Sequence, residues 1–401
     1  TSWENDATFF SAKSGPLFGG HDHPQQGDIF LLRDGLPYLS PMPYSALKMT
    51  SNSNTLLIDN QGQHGEGETW TAAQSLDLQG ELEASLRDGP YFNILLDASN
   101  AYLSDKLESW QREVIALDAN TFLVHDTIAG NESMELDLLF HSFKATPPTD
   151  QKSIYNFSDG RLESPWQTHQ ANPIPHWSTH PHESVDELYI YDVSADNWTS
   201  SISESTYAPQ TNYNTGASNI SAMEEQQLGY VLNRSITTTQ ASSTLLLSFD
   251  SELTVTSLSD VSTGNSGVSF SSPGGGARQV VFSSAPTGSV ELGTLTLQGE
   301  MGGRDLANNM YFARAATTLN DGSTQLMAAQ SAATVLARLE VANPSLDAFI
   351  VTTGPNVVTL YCPQEPASMQ LNGEPEGLDW SAGFLTVTIS AAGTHGVEVT
   401  L

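Results

Sequence analysis

The spacing of short apolar runs limits the fold of this chain more than any other feature. "DIFLL", "NTLLID", "YFNILLDA", "EVIALD", "TFLVHDTI", "MELDLLFHSF", "ELYIYDV", "TLLLSF", "RQVVFSS", "SVELGTLTL", "DAFIVTT", "VVTLYC" and "FLTVTISA" follow one another, each bounded by Asp, Asn, Gly, Ser or Pro. Alternating runs of this length read as strands. Without amphipathic helices between them there is no crossover for a βαβ fold, so an all-β, antiparallel sandwich is expected. "AAQSAATVLARLE" (residues 328–340) is the one stretch with a helical pattern, and its place between strands weighs against a helix. Glycines cluster in "SSPGGGARQ" and "TLQGEMGGRD". They place a large β-sandwich over residues 1–290 and a smaller C-terminal β domain over residues 291–401.

Charge narrows the partners. The chain carries 14 Lys+Arg against 46 Asp+Glu, a formal charge of −32. Nucleic acids and anionic membranes both need a basic surface, so neither is an expected partner. An acidic, lysine-poor surface suits a secreted or periplasmic protein, or a salty habitat in which self-repulsion is screened. Cys362 is the sole cysteine, which rules out an intrachain disulfide. No apolar run reaches bilayer length. The chain begins at Thr1 without a basic-then-apolar layout, so a leader or a larger N-terminal region is expected to precede it.

Between Thr146 and Ser218 the texture turns polar, with prolines and scattered aromatics, and reads as a long excursion from the sheet. Its segment "HWSTHPH" holds His176, His180 and His182 beside Trp166 and Trp177. Histidines at this spacing can bind a metal, but a polar loop is the simpler reading. Indole rings also stack on sugars, and Trp177 is retained as a substrate-binding candidate on that ground.

"FFSAKSGPLFGGHDHPQQGDIFLLRDGLPYL" followed by "SNSNTLLIDNQGQ" resembles the β-sheet domain of heparinase II/III-like polysaccharide lyases, a group that includes alginate and oligoalginate lyases. The likeness continues through "ILLDASNAYLSDKLESWQREVIALDANTFLVHDTI", where Asp97, Tyr102, Arg112 and Asp126 fall on family positions. It is specific over residues 1–145 and vaguer beyond. The resemblance implies a polyuronide lyase acting with an N-terminal (α/α) toroid, here cleaved, separately encoded or lost. That toroid is therefore an expected partner, as is an anionic polysaccharide or oligosaccharide.

Such lyases break a glycosidic bond beside a uronic acid by β-elimination, which needs a base for the C5 proton and an acid for O4. In the resemblance, His21 matches the cleft histidine of the HxH pair and is a catalytic candidate. His23 matches a residue that is a metal ligand in many members. The two other ligand positions fall on Pro41 and Ser53, and neither suits zinc. No metal and no other cofactor is therefore expected, and His23 is assigned to substrate binding. Tyr44 falls where a family tyrosine follows the strand, the second catalytic candidate. Lys48, four residues on, is a candidate for the uronate carboxylate in a chain with few cations. Gln63, Asn54 and Asp59 read as turn framework, and Arg112 with Asp97 as a buried polar pair.

Three functional readings follow. The first is the β-sandwich half of a polyuronide lyase. The second is a non-catalytic carbohydrate-binding or assembly module derived from that sandwich, favoured by the missing ligand positions. The third, a surface or filament subunit, rests on composition alone.

Overall fold

The computed structural model describes residues 7–15, 23–33, 36–41, 49–66, 79–88, 91–143, 161–163, 188–206, 228–250, 253–260, 262–284, 288–340 and 344–401. Apart from short 3-10 turns such as Thr50–Asn52 and Ser99–Ala101, the regular structure of the described residues is β. The chain divides into two compact units, Thr1–Asp192 with Asp196–Ser251, and Val193–Ala195 with Glu252–Leu401.

The first unit holds β1 (Thr8–Lys13), β2 (Asp28–Arg33), β3 (Leu36–Leu39), β4 (Leu56–Ile58), β5 (Glu81–Asp88), β6 (Tyr91–Asp97), β7 (Leu107–Ala116), β8 (Thr121–Phe143), β9 (Arg161–Glu163), β10 (Tyr189–Asp192), β11 (Thr199–Thr206) and β12 (Leu228–Ser248). Strands β1, β2 and β3 make a small antiparallel sheet. The rest of this unit is organised by β8 and β12, which pair along almost their whole length. Residues 121–129 of β8 lie between β12 and β7, whereas Leu136–Leu138 pair with β4. The register slips between Thr238 and Gln240, opposite Met134 and Ala129. Such irregularities bend a strand pair. Phe122, Val124 and Ile128 from one half and Met134, Leu136, Leu138 and Phe140 from the other then enter one core. Ile29, Leu31 and Tyr38 of the small sheet complete it.

The second unit repeats this device with β13 (Thr254–Ser257), β14 (Ser266–Ser271), β15 (Arg278–Phe282), β16 (Ser289–Leu292), β17 (Leu295–Gln298), β18 (Met301–Asp305), β19 (Met310–Asp321), β20 (Thr324–Glu340), β21 (Ser345–Thr352), β22 (Asn356–Tyr361), β23 (Ser368–Leu371), β24 (Glu374–Glu376), β25 (Trp380–Ser381), β26 (Phe384–Ile389) and β27 (Gly393–Thr400). The β19–β20 hairpin pairs with β18 and β21 through its open end, and with β17 and β22 nearer its turn.

The all-β antiparallel architecture agrees with the reading of the sequence. Residues 328–340 lie within β20. Ala333, Val335 and Ala337 enter the second core at period two while Leu336 is buried between them, so alanine serves close sheet packing and not a helix. The boundary expected near residue 290 falls instead after Ser251, because β13 to β17 hydrogen-bond into the sheet of the second unit. Glycine clusters mark turns within that sheet, and turn residues alone do not distinguish a hairpin from a linker.

Candidate functional site

The segment that follows the histidine pair is fixed by a buried polar network. Gln26 is fully buried, and its side chain bonds the Gly15 backbone twice, accepting at 2.8 Å and donating at 2.9 Å. Gly15 and Gln26 flank the stretch containing His21 and His23, so both ends of that stretch are tied together. Gln63 reciprocates from below: its Oε1 accepts the Gln26 N–H at 2.7 Å and its Nε2 donates to the Gln26 carbonyl at 2.8 Å. The same amide donates to Tyr102 Oη at 3.1 Å, and that hydroxyl donates to the Leu56 carbonyl at 2.5 Å. Burial raises the Tyr102 phenol well above its ordinary range, which keeps it a neutral donor.

Next along the chain, Gly27 has φ 79° and its carbonyl accepts Arg112 Nη1 at 2.9 Å. A Cβ here would come within 2.5 Å of the Trp110 ring, so the position requires glycine on both counts. Asp28 Oδ1 accepts the backbone N–H groups of Ile29 (2.9 Å) and Asn54 (2.8 Å). Burial outweighs these bonds and the Arg112 charge, and pushes the Asp28 carboxyl up to about 7. Asn54, just before β4, links β2 and β8: its Nδ2 donates to the Ile29 carbonyl at 2.6 Å and its Oδ1 accepts the His141 N–H at 2.5 Å.

Arg112 is the hub. Its Nε and Nη2 reach both oxygens of Asp126, and Nη1 reaches the carbonyls of Gly27 and Asn54. Trp110 Nε1 donates to Asp126 Oδ1 at 2.9 Å. The carboxylate expected opposite Arg112 was Asp97, and this is corrected. Arg112 stands directly across from Asp126 in the β7–β8 register, whereas Asp97 stands across from Gln111. A one-residue offset sends a strand side chain to the opposite face. Asp97 instead accepts the Ser99 N–H at 2.8 Å.

Asp59 and Asn60 both adopt positive φ (50° and 60°) in the turn after β4, where Ile58 and Gln61 bridge. Asp59 also receives the Glu135 N–H at 2.9 Å and pairs with Lys106 at 2.7 Å, so Gln63, Asn54 and Asp59 are framework as read.

Of the residues assigned to chemistry, His21, Tyr44, Lys48 and Trp177 lie outside the described residues, as do His176, His180 and His182. His23 is described and half-buried, directly before the buried Pro24. Ser53 is buried beside the Thr50–Asn52 turn, and its N–H donates to the Thr50 carbonyl at 3.0 Å. Pro41 adjoins Ser40, whose N–H donates to the His141 carbonyl at 3.0 Å. Among the described residues no three of His, Cys, Asp and Glu gather as metal ligands would.

His141 escaped the sequence reading. It is buried, its Nε2 donates to the Ser51 carbonyl at 3.0 Å, and its Nδ1 has no partner among the described residues. Burial pushes the imidazole down to about 4. The only signal was an imidazole within the apolar run "LDLLFHSF", which also reads as an ordinary strand end.

Three comparisons bear on this arrangement. Among solved structures, a heparan sulfate lyase HepC mutant from Pedobacter heparinus superposes with a TM-score of 0.47 at 15% identity, over 68% of this chain and 38% of that one. A chondroitin AC lyase from Streptomyces coelicolor A3, in complex with chondroitin sulphate, gives 0.49 at 11% identity, over 99% of this chain and 48% of that one. The chain thus spans less than half the length of either lyase. No curated protein sequence matches. The family model described as heparinase II/III-like, C-terminal, matches residues 1–227, more than half of the 401 residues and the part that holds the network above. The chain belongs to the heparinase II/III-like C-terminal family.

Proposed function

We propose that this chain is the β-sandwich half of a secreted or periplasmic polysaccharide lyase acting on a uronic-acid polymer, alginate among the candidates. The observation that carries this reading is the clamp between Gln26 and Gly15, set in a domain of the lyase family. Partly buried hydrogen bonds from the fully buried Gln26 hold the two ends of one short stretch, and that stretch contains "GGHDH". Catalysis depends on reacting groups being held within a fraction of an ångström, so support of this kind belongs beneath a working side chain.

In the proposed reaction the uronate carboxylate is neutralised by donors that include Lys48, which acidifies the C5 proton. His21 or Tyr44 takes that proton as base, and the other gives a proton to O4 as the C4–O4 bond breaks. The electron pair of the C5–H bond becomes the C4–C5 double bond, leaving an unsaturated uronate at the new non-reducing end. Each well-placed proton transfer contributes on the order of 10²–10⁴ in rate. His23 and Trp177 are assigned to substrate contact, and an (α/α) toroid, on this polypeptide or another, to the opposite wall of the cleft.

The test offers alginate, glucuronan, hyaluronan and heparan chains to the protein with and without any copurifying N-terminal partner, and follows ultraviolet absorbance of the unsaturated uronate. A rise that His21→Ala removes supports the reading. No rise with the partner present overturns it and leaves the second reading, a carbohydrate-binding module. Pro41 and Ser53 specifically favour that alternative, since neither supplies a good metal ligand at the positions where many family members have one.

A further inference from the structure

We propose that Arg304 is the centre of an oxyanion-binding site in the second unit, taking a carboxylate or sulfate group. On β18, Arg304 stands directly across from Gln279 on one side and Tyr311 on the other, and Gln279 in turn faces Ser269. Directly paired residues share a face of the sheet. Ser269, Gln279, Arg304 and Tyr311 therefore form one row across four neighbouring strands. Tyr311 belongs to the second core, so the row lies on the core-facing side.

Arg304 is half-buried, and its Nε and Nη1 are shielded from water with no hydrogen-bond partner among the described residues. The guanidinium carbon lies 6.0 Å from the centroid of the Tyr311 ring, at the outer limit of a favourable cation–ring contact. Desolvating part of a guanidinium without giving it an acceptor is costly, and native proteins leave such groups unmatched only where something else completes them.

Arg304 has two shielded nitrogens unmatched among the described residues, where Arg33, Arg234 and Arg338 have one each, and four other arginines make ion pairs. Arg112 is paired with Asp126, Arg234 with Asp192, Arg278 with Asp305 and Arg314 with Glu300. Carboxylates outnumber cations 46 to 14, so acidic partners for an arginine are plentiful. The Arg304 row offers a hydroxyl, an amide and a phenol instead. Within it, Gln279 Oε1 is taken by the Thr294 hydroxyl (2.8 Å) and N–H (3.3 Å), which turns Nε2 toward Ser269, 3.5 Å from its hydroxyl. The carboxylate near this corner, Asp321, accepts from Thr294 Oγ1 at 2.6 Å and makes no ion pair with Arg304 among the described residues. The planar guanidinium of Arg304 itself supplies the N–H donors suited to an anion with two or more oxygens, and the polar row leaves it without a competing carboxylate.

The oxyanion has two sources, a uronate residue or a small inorganic anion. Only the first rests on the lyase reading. The experiment titrates the full chain by calorimetry with galacturonate monomer, which has no glycosidic bond to cleave, and separately with inorganic sulfate, at constant ionic strength in chloride. Binding of either is expected to weaken at least tenfold in Arg304→Met and less in Arg304→Lys, which keeps charge but loses the fork. In chloride alone, Arg304→Met should melt no lower than the wild type, since it removes an unmatched cation. Galacturonate binding alone identifies the sugar acid as the ligand, and sulfate binding alone identifies a small-anion site; both uphold the proposal. Equal binding by wild type and Arg304→Met, or no binding of either anion by the wild type, overturns it whatever the lyase assay gives.

Discussion

Arg112 and Asp126 face each other across β7 and β8 and close a two-pronged ion pair, Nε to Oδ1 at 2.8 Å and Nη2 to Oδ2 at 3.1 Å, with both side chains about 1% exposed. A pair this deep is costly to desolvate, and its net worth over an apolar substitute is small. Its geometric value is larger, because the remaining Arg112 donors hold the carbonyls of Gly27 and Asn54, on either side of the Asp28 contact.

Arg112→Met should therefore destabilise the first unit by about 3–5 kcal/mol, mostly by stranding the Asp126 charge. The double change Arg112→Met with Asp126→Leu should recover much of that loss. Urea unfolding followed by the fluorescence of buried Trp110 measures both. A double variant no more stable than the single one would mean that Arg112 acts chiefly through the two carbonyls.

Gly27→Ala is expected to cost roughly 1–3 kcal/mol from overpacking, with strain from the positive φ in addition. The methyl group meets the Trp110 ring, which cannot move without releasing its bond to Asp126. A melting temperature that falls by much less than about 2 °C, the shift one kcal/mol gives in a unit of this size, would show that the Gly27 segment yields more easily than its hydrogen bonds imply.

Asp28 and His141 give opposite pH dependences. The raised Asp28 pKa means that the folded state holds a proton the unfolded chain has released, so this contribution to stability is full below about 4 and lost as pH rises to about 7. The lowered His141 pKa works the other way. Its contribution is present above about 6.5 and lost as pH falls to about 4. Between those limits the two slopes, each up to ~1.4 kcal/mol per pH unit, oppose and largely cancel.

Removing one partner should expose the other. Relative to wild type, Asp28→Asn should gain stability as pH rises from about 4 to about 7, while His141→Gln should gain as pH falls from about 6.5 to about 4. Melting temperatures of the three proteins across pH 4 to 8, differenced against wild type, test this. Parallel curves for both variants would show that neither group titrates within the folded state as described.

Salt provides a test of the proposed function. A chain of charge −32 repels a polyuronide, and the screening length falls from ~10 Å at 0.1 M salt to ~3 Å at 1 M. Lyase activity should accordingly rise with moderate salt, mainly through a lower KM. Activity that falls steadily from low salt would indicate that cations at the cleft dominate the encounter.

The fold was legible because strand periodicity and turn residues are local signals, and the β8 and β26 runs carry them strongly. The same locality explains the two departures. Glycines near residue 290 mark hairpins, and nothing local in "SSPGGG" tells a hairpin from a linker. Arg112 and its acid partner lie on adjacent strands, and choosing between Asp97 and Asp126 requires the register, which is set by pairing at a distance. Gln63 and Asn54 were read as framework from their place in the turn motif. His141 was invisible in that sense, since its depth depends on the Thr50–Asn52 turn, far back along the chain.

The two long strands of the first unit have a mechanical corollary. Because β8 and β12 are threaded through both walls of the sandwich, neither wall can slacken alone: peeling one back pulls on the same two ribbons that form the other. Opening is therefore all-or-none, and the polar network around Gln26 and Gln63 inherits the stiffness of the whole unit.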